Sequence, residues 1–356
     1  MTKVLIMAGG TGGHVFPALA VADVLRVQDV AVEWMGTAQG IEAKLVPGAG
    51  YPLNIITVQG LRGNGLLGWL LAPFKLLKAI IEAIAAIREI KPDVVLGLGG
   101  FASGPGGLAT WLLRKPLLIH EQNAIPGLTN RVLSHLAKYV LAGFPYAFST
   151  DRKAQWVGNP VRASIENLPT PSQRFADRTA TIRILVLGGS LGARALNTLL
   201  PQAFATLEQD IEIRHQCGQR HIADCQANYQ QANVPAEIST FIDDMADAYG
   251  WADLVVCRAG ALTVAELAAA GVASLLVPYP YAVDDHQTHN AAMLVNVSAA
   301  KLVQESDLNQ TVLAEMIAEL IKDRQSLLVM AEQARSQAKL GSANTIATLC
   351  LELANG

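Results

Sequence analysis

The stretch KVLIMAGGT at residues 3–11 places an apolar run of strand length directly before a pair of glycines. A second stretch, IRILVLGGS at residues 182–190, repeats this pattern in the middle of the chain. A short and continuously apolar run is typical of a strand that is buried on both faces of a parallel sheet. Because each run enters a Gly-rich turn, the repeat predicts an α/β protein with two Rossmann-like domains, each with its own sheet.

Further apolar runs alternate with helical patterns along both halves of the chain, as expected for parallel sheets covered by helices. Helices are predicted, for example, at residues 17–27 and 262–270, where apolar residues recur at helical spacing. The predicted strands of the first half are residues 4–8, 31–36, 94–98, 116–120 and 139–142. Those of the second half are residues 182–187, 211–216, 238–241, 254–257 and 274–278.

The bulk composition describes a large protein with a dry interior. Of its 356 residues, 51% are hydrophobic and 16% are charged, which excludes a disordered chain and favours two domains. The four cysteines are scattered and form no C-x-x-C pair, and the N-terminus lacks the pattern of a signal peptide. These features predict a cytoplasmic protein. The net charge of −3 combines a basic stretch at residues 1–162 with an acidic remainder, so the two halves are expected to face different partners.

The joint between the domains is expected at GNPVR, residues 158–162, because a residue that precedes proline is pushed out of helical geometry. The first domain is therefore predicted to cover residues 1–162 and the second residues 163–337. Ligands of parallel α/β sheets bind outside the carboxyl ends of the strands. The expected binding site is thus a cleft between the two domains.

Three Gly-rich loops follow predicted strands, at residues 9–14, 97–107 and 188–192. Glycines let a ligand approach the backbone closely, and helix N-termini attract phosphate. Val15 occupies the third glycine position of the G-x-G-x-x-G pattern, and no G-K-[ST] follows any of the loops, which disfavours nicotinamide enzymes and P-loop NTPases. The chain also has no D-x-D pair to hold a metal. A leaving diphosphate would then be neutralised by backbone dipoles and an arginine, without a bound metal.

Four charged or titratable side chains are candidates for a functional site, and two of them, His14 and Arg162, allow two interpretations each. His14 is a candidate general base, because imidazole suits proton transfer near neutral pH, or it binds phosphate or fixes the turn. Glu266 is by itself an acid near the start of a helix, favoured there by the helix dipole. Glu121 is expected to be a buried acid that supports Asn123. Arg162 either contacts phosphate or braces the joint between the domains.

The segment LLGWLLAPFKLLK at residues 66–78 combines apolar side chains with two lysines. It is too interrupted to span a membrane, which requires about 20 mostly apolar residues. It is either a core helix with a charged face or a membrane-surface segment with basic residues at headgroup level. The basic first half and the nearby WLLRK at residues 111–115 favour the surface segment. The predicted membrane patch consists of Leu66, Leu67, Trp69, Leu70, Phe74, Lys75 and Lys78.

Seven motifs, in order across nearly the whole chain, resemble those of the MurG family of bacterial N-acetylglucosaminyltransferases in glycosyltransferase family 28. They are GGTGGHVFPAL (9–19), GLGGFASGP (97–105), HEQNAIPGLTNR (120–131), GNPVR (158–162), LVLGGSLG (185–192), CRAGALTVAEL (257–267) and PYPYAVDDHQTHNA (278–291). The resemblance implies a GT-B fold of two Rossmann-like domains, with residues 338–356 returning to the first. It also implies an inverting, metal-free and cofactor-free transfer from UDP-N-acetylglucosamine to the C4 hydroxyl of the N-acetylmuramyl unit of lipid I, giving lipid II and UDP.

The resemblance further assigns roles to individual residues. It implies that Ser190 and Arg162 face the pyrophosphate, Ile242 frames the uracil and Glu266 binds the ribose hydroxyls. The other residues implied to contact UDP-N-acetylglucosamine are Gln287, Asn123, Thr11, Gly12, Gly13, Ala261, Leu262, Thr263, Val264 and Ala265. A peripheral position on the cytoplasmic face of the inner membrane follows, with lipid I, anionic lipid and cell-wall or division proteins as partners and no nucleic acid.

Three other functions are compatible with the same motifs. The chain could be another GT-B transferase, acting on a diacylglycerol or a small natural product. It could be a UDP-sugar epimerase, which would consume the donor without an acceptor. A non-catalytic nucleotide-sugar-binding module would bind UDP and give no turnover.

Overall fold

The computed structural model describes residues 1–58, 65–148, 153–178, 181–189 and 192–355, without the side chains of residues 65–70 and 283. The chain forms two compact units. The first comprises Met1–Arg162 together with Gly341–Gly356, and the second comprises Ala163–Leu340. The first boundary between the two units thus falls at the end of the GNPVR segment, and the second falls just before the final helix.

The first unit is a parallel sheet with helices on both faces. In the described residues its strands lie in the order β3-β2-β1-β4-β5-β6-β7. They are β1 (Lys3–Met7), β2 (Ala31–Gly36), β3 (Leu53–Ile55), β4 (Val94–Gly97), β5 (Leu117–Glu121), β6 (Tyr139–Ala142) and β7 (Ala154–Trp156). The helices between them are α1 (Gly12–Val27), α2 (Glu42–Gly48), α3 (Gly65–Ile90), α4 (Ser103–Leu112) and α5 (Leu128–Leu133).

The second unit has the same architecture, and its described strands lie in the order β10-β9-β8-β11-β12-β13. They are β8 (Ile182–Leu187), β9 (Ile211–Gln216), β10 (Glu237–Ser239), β11 (Leu254–Cys257), β12 (Ala273–Leu276) and β13 (Ala300–Leu302). The helices are α6 (Ala163–Glu166), α7 (Pro171–Ala176), α8 (Arg194–Phe204), α9 (Ile222–Ala232), α10 (Met245–Trp251), α11 (Ala261–Ala270), α12 (His286–Val295), α13 (Gln310–Ile321) and α14 (Arg324–Ser336). The last helix, α15 (Ser342–Asn355), belongs to the first unit.

The two stretches that predicted the fold occupy equivalent places. The strand β1 lies between β2 and β4, just as β8 lies between β9 and β11. Side chains of β1 alternate between two cores, because successive residues of a strand point to opposite faces. Val4 and Ile6 pack with α1 and α15, whereas Leu5 and Met7 pack on the other face with α3. The predicted pair of parallel-sheet, Rossmann-like domains is therefore confirmed.

The structure differs from the sequence-based prediction at element ends and sheet edges. The strands β3, β7 and β13 were not predicted, because three residues are too short for a period to be read. The predicted strand 238–241 is wrong beyond Ser239, where β10 ends. The helix α1 begins at Gly12, not near Pro17, since burial of Val15 and Ala18 stabilises a first turn that its glycines disfavour.

Candidate active site

The first unit has a topological switch point between β1 and β4, because the sheet extends from β1 through β2 to β3 on one side and from β4 through β5 and β6 to β7 on the other. Open α/β sheets bind ligands at such a point, beside the loops that follow the two strands. The loops are in close contact, because a Cβ on Gly100 would overlap the carbonyl oxygen of Gly9. The Ser103 hydroxyl stabilises this contact by donating a hydrogen bond of 3.0 Å to the carbonyl oxygen of Met7.

His14 lies in the first turn of α1, beside the second Gly-rich loop. Its Nδ1 lies 3.2 Å from Oγ1 of Thr11, and its ring fills the space that the missing side chain of Gly99 leaves. Gly12 and Gly13 are the first two residues of α1, where backbone N–H groups have no acceptor within the helix. The turn therefore combines an imidazole, a hydroxyl and the anion-attracting end of a helix.

The segment after β5 is organised by Glu121, which is buried. Its Oε1 accepts hydrogen bonds from the backbone N–H of Asn123 at 2.9 Å and from Nδ2 of Asn123 at 3.1 Å. Its Oε2 accepts from Nδ2 of Asn130 at 2.9 Å and from the N–H of Gly127 at 3.1 Å. Glu121 thus supports Asn123, as the sequence suggested, and it fixes the orientation of that amide.

His120 is a buried histidine whose tautomer is defined by its neighbours. Its Nε2 lies 2.9 Å from the carbonyl oxygen of Gly158 and must carry the hydrogen, while Nδ1 accepts from Nε2 of Gln122 at 3.2 Å. Burial lowers the pKa of His120 to about 4, so the ring is neutral at physiological pH. Asn159 extends the network by donating to the carbonyl oxygen of Gln122 at 3.0 Å. The network ties β5 to the segment that leads to Arg162.

Arg162 lies beside α1 through an aromatic contact. Its guanidinium carbon is 5.6 Å from the centre of the Phe16 ring, within the range of a cation–π interaction. That ring also packs on Gly12, since a Cβ there would lie 3.1 Å from Cε2 of Phe16. Two predicted site residues, Arg162 and Gly12, therefore both pack against one aromatic ring. Nothing in the sequence singles out Phe16, because an aromatic residue in a helix ordinarily belongs to the core.

The second unit has its switch point between β8 and β11. In the loop after β8, Gly189 and the Gln216 side chain exchange two hydrogen bonds, N–H to Oε1 at 3.2 Å and Nε2 to carbonyl oxygen at 3.0 Å. Gly192 has a φ of +79°, and a Cβ there would overlap the carbonyl oxygen of Cys217. Only glycine suits such a position. The predicted pyrophosphate residue Ser190 lies outside the described residues.

The helix α11 follows β11 through a turn that ends at Gly260, whose backbone is extended. The predicted run 261–266 fills the first six positions of this helix, so its first N–H groups point out of the helix end. Such an end attracts phosphate. Ala261 and Val264 are buried, whereas Leu262, Thr263 and Ala265 are partly exposed.

Glu266 is buried in the second turn of α11, in the first half of the helix. Its Oε2 accepts a hydrogen bond of 3.1 Å from the hydroxyl of Tyr249, on α10. Tyr249 was not predicted, because nothing in the sequence around it indicates a polar partner. Its position beside Glu266 is decided by the packing of α10 against α11.

The two remaining predicted donor contacts lie in loops around these helices. Ile242 is partly buried in the segment between β10 and α10. Gln287 is the second residue of α12, and its Oε1 accepts from the N–H of Tyr279 at 2.9 Å. This hydrogen bond orients the amide, with its NH₂ group as donor. Asn290 attaches α12 to the turn before α11 by donating to the carbonyl oxygen of Ala259 at 3.3 Å.

Apolar side chains are exposed along one side of α3, at Leu71, Phe74, Leu77 and Ile81. This set of residues is called the α3 patch. Lys75 and Lys78 are exposed beside it, and the side chains of Leu66, Leu67, Trp69 and Leu70 lie outside those described. The neighbouring α4 exposes Trp111 and Leu112. Among the described residues, no helix is long and apolar enough to cross a membrane.

A basic groove opens next to Trp111 in the first unit. It is lined by Trp111, Arg114, Lys115, Pro116, Lys138 and Leu353. This lining combines three cationic and three apolar side chains, which suits an anionic group with a hydrocarbon attached. In the described part of the chain, no cluster of three or more His, Cys, Asp or Glu side chains could hold a metal ion.

Two Rossmann-like sheets, each with a Gly-rich turn and a helix N-terminus at its switch point, define a nucleotide-dependent α/β enzyme. Comparison with known families makes this class specific. The glycosyltransferase family 28 N-terminal domain matches residues 4–142, and the glycosyltransferase family 28 C-terminal domain matches residues 183–346. The chain belongs to glycosyltransferase family 28.

Individual relatives match over the full length. The UDP-N-acetylglucosamine–N-acetylmuramyl-(pentapeptide) pyrophosphoryl-undecaprenol N-acetylglucosamine transferase of Nitrosococcus oceani is 56% identical over 99% of both chains. The crystal structure of Acinetobacter baumannii MurG superposes with a TM-score of 0.86 at 44% identity, covering 99% of this chain and 100% of that one. A putative UDP-N-acetylglucosamine 2-epimerase from Listeria monocytogenes has a TM-score of 0.68 at 15% identity, covering 97% and 94%, and shares the fold alone.

Proposed function

We propose that this protein transfers N-acetylglucosamine from UDP-N-acetylglucosamine to the C4 hydroxyl of N-acetylmuramyl-pentapeptide pyrophosphoryl-undecaprenol, lipid I. The products are lipid II, with an inverted β-1,4 linkage, and UDP. The observation that carries the proposal is the 56% identity, over the full length of both chains, to the transferase of that name from Nitrosococcus oceani. The geometry of the two switch points supports a role for each unit.

The second unit is proposed to bind the UDP part of the donor. The N-terminus of α11 and the loop after β8 would receive the pyrophosphate, together with Ser190 and Arg162. Glu266 would accept hydrogen bonds from the ribose hydroxyls, and Ile242 would cover the uracil. The amide of Gln287 is oriented by the N–H of Tyr279, which suits donation to a sugar hydroxyl. Backbone dipoles would stabilise the charge that develops on departing UDP.

The first unit is proposed to supply the groups that act on the acceptor. His14 would remove the proton from the C4 hydroxyl as its oxygen attacks the anomeric carbon of the donor. The hydroxyl of Thr11 contacts Nδ1 of His14 at 3.2 Å, which orients the ring. Thr11, Gly12, Gly13 and Asn123 are proposed contacts of the transferred sugar, and Glu121 supports Asn123 through two hydrogen bonds.

The first unit is proposed to bind the cytoplasmic face of the plasma membrane. The α3 patch exposes apolar side chains next to Lys75 and Lys78, which suits insertion between acyl chains with the cations at headgroup level. The basic groove beside Trp111 would attract anionic lipid. Peripheral binding would bring the enzyme to its lipid-linked acceptor and to any cell-wall or division proteins at the same surface.

Label transfer from UDP-N-acetylglucosamine tests the reaction, with and without a soluble lipid I analogue. The proposal expects label in the acceptor and one UDP released per transfer. Donor consumption without acceptor would instead indicate an epimerase or hydrolase, a function that the shared fold permits. UDP binding without turnover on lipid I, diacylglycerol or other acceptors would indicate a binding module.

A further inference from the structure

Glu42 is a fully buried acid that connects the loops after β1 and β2. Its Oε2 accepts a hydrogen bond of 2.8 Å from the backbone N–H of Gly10. Its Oε1 accepts from the N–H of Thr37 at 3.0 Å and from Oγ1 of Thr37 at 2.7 Å. A buried carboxylate is costly to desolvate, and these three donors to its two oxygens compensate that cost.

The backbone around Glu42 leaves a space that its side chain fills. A Cβ on Gly9 or Gly40 would overlap the Glu42 carboxyl group, and a Cβ on Gly36 would lie 2.8 Å from Cγ of Glu42. Three glycines, one after β1, one at the end of β2 and one just before α2, therefore leave room for one acid. Such an enclosure admits glutamate and its amide, whereas a longer or branched side chain would not fit.

The contact with Gly10 reaches the candidate active site through the chain itself. Gly10 has a φ of +85° and is followed by Thr11, which occupies the N-cap position of α1 and contacts His14. The neighbouring carbonyl of Gly9 packs against Gly100 of the second loop. An anchor on the Gly10 N–H thus determines where the first turn of α1 begins.

We propose that Glu42 is a positioning residue for the transfer reaction, whose carboxylate holds the 9–14 turn so that His14 and the first amides of α1 face the substrate. This inference rests on the proposed function for its catalytic consequence. Its structural part, that Glu42 anchors the turn, does not depend on the identity of the substrate. Glu42 itself contacts no reacting atom in this assignment.

The substitution Glu42→Gln isolates the bond to Gly10. The single carbonyl oxygen of glutamine satisfies two donors if it faces Thr37, so the NH₂ group then faces the N–H of Gly10 and cannot accept from it. The matched control is Thr37→Val, which removes a hydrogen bond to the same carboxylate and leaves the Gly10 anchor in place. Both variants lose one interaction of the same buried cluster.

The experiment measures hydrogen exchange at residues 10–14, kcat with a soluble lipid I analogue, UDP affinity and thermal midpoint for each protein. We expect Glu42→Gln to exchange at least about 10-fold faster at residues 10–14 and to lose at least about 10-fold in kcat, with UDP affinity unchanged. Thr37→Val should lower the midpoint and change kcat by less than about 3-fold.

Three results would overturn the proposal. They are unchanged exchange at residues 10–14 in Glu42→Gln, unchanged kcat in that variant, or an equal loss of kcat in Thr37→Val. A wild-type protein that transfers no label would refute the proposed function instead. In that case the exchange comparison still decides whether Glu42 anchors the turn.

Discussion

The hydroxyl of Tyr249 donates a hydrogen bond of 3.1 Å to Oε2 of Glu266, and both side chains are buried. Tyr249 comes from α10 and Glu266 from α11, the helix whose N-terminus is proposed to receive pyrophosphate. A hydrogen bond to one oxygen restricts the rotation of the carboxylate plane. Tyr249 therefore orients the acid that is proposed to bind the ribose hydroxyls.

Replacement of Tyr249 by Phe should weaken UDP binding by about 5-fold, since the hydrogen bond is worth ~1 kcal/mol. The preference for UDP over 2′-deoxy-UDP should shrink as well, because a misoriented carboxylate accepts a weaker hydrogen bond from the ribose 2′-hydroxyl. Calorimetric titration of both nucleotides measures the two effects.

Tyr229→Phe is the matched control, because Tyr229 is a buried tyrosine of the same unit that bonds to His215 at 2.9 Å. It should reduce stability and leave both nucleotide affinities unchanged. Intact affinity and intact preference in Tyr249→Phe would show that Tyr249 does not orient the ribose contact.

His14→Ala should lower kcat by about 10²- to 10⁴-fold, the usual contribution of a general base, with UDP affinity changed little. Steady-state transfer to a lipid I analogue and UDP titration give the two numbers. The exposed His135 of the same unit serves as control, and His135→Ala should keep wild-type kcat. Near-normal turnover in His14→Ala would eliminate His14 as the base.

Acid should destabilise the protein through its two buried histidines. Burial lowers the pKa of His120 from 6.5 to about 4 and that of His215 to about 3. The unfolded chain takes up the proton near pH 6.5 and the folded chain does not, so the unfolded state binds more protons between those values. The stability contributed by each neutral histidine is therefore complete above pH 6.5 and is lost as pH falls toward the folded pKa.

Each of these histidines should add about 1.4 kcal/mol per pH unit to the slope of the unfolding free energy in that window. Urea unfolding between about pH 4 and 6.5 measures the slope in the wild type and in His120→Asn, a variant that lacks the titrating ring. The variant should have a shallower slope, by about the amount for one proton. Parallel slopes would contradict the assignment of His120 as a neutral, buried ring.

Phe74→Glu should reduce binding to anionic vesicles by at least about 10-fold, because it removes an apolar side chain worth ~1.5–3 kcal/mol on burial and adds a negative charge. Phe74 is 71% exposed, so the folded protein should tolerate the change. Vesicle sedimentation at low and high salt measures the effect.

Val27→Glu is the control for charge. Val27 belongs to the same unit, is 85% exposed and is the last residue of α1, outside the α3 patch. It should bind vesicles almost as the wild type does. An equal loss in both variants would mean that net charge, and not insertion of the α3 patch, decides binding.

Much of the fold could be read from local patterns. The strands β2, β6, β8, β9 and β11 have the predicted bounds. In β6 and β11 the signal is a continuous apolar run, which is typical of a buried parallel strand. Short edge strands such as β3 lack that signal. The start of α1 at Gly12 was also missed, because tertiary packing of Val15 and Ala18 overrides the preference of glycine for turns.

The sequence by itself determined the two-domain plan, the Gly-rich turns and the family. Apolar periodicity and clusters of glycine are properties of residues that are close together in the sequence, so they can be read without the fold. Only the tertiary structure decided which side chains support the site. Glu42 and Gly10 are 32 residues apart, and Tyr249 and Glu266 are 17 apart, so no local pattern links either pair. Each pair meets because a buried acid requires hydrogen-bond donors, and the fold determines which donors come within reach.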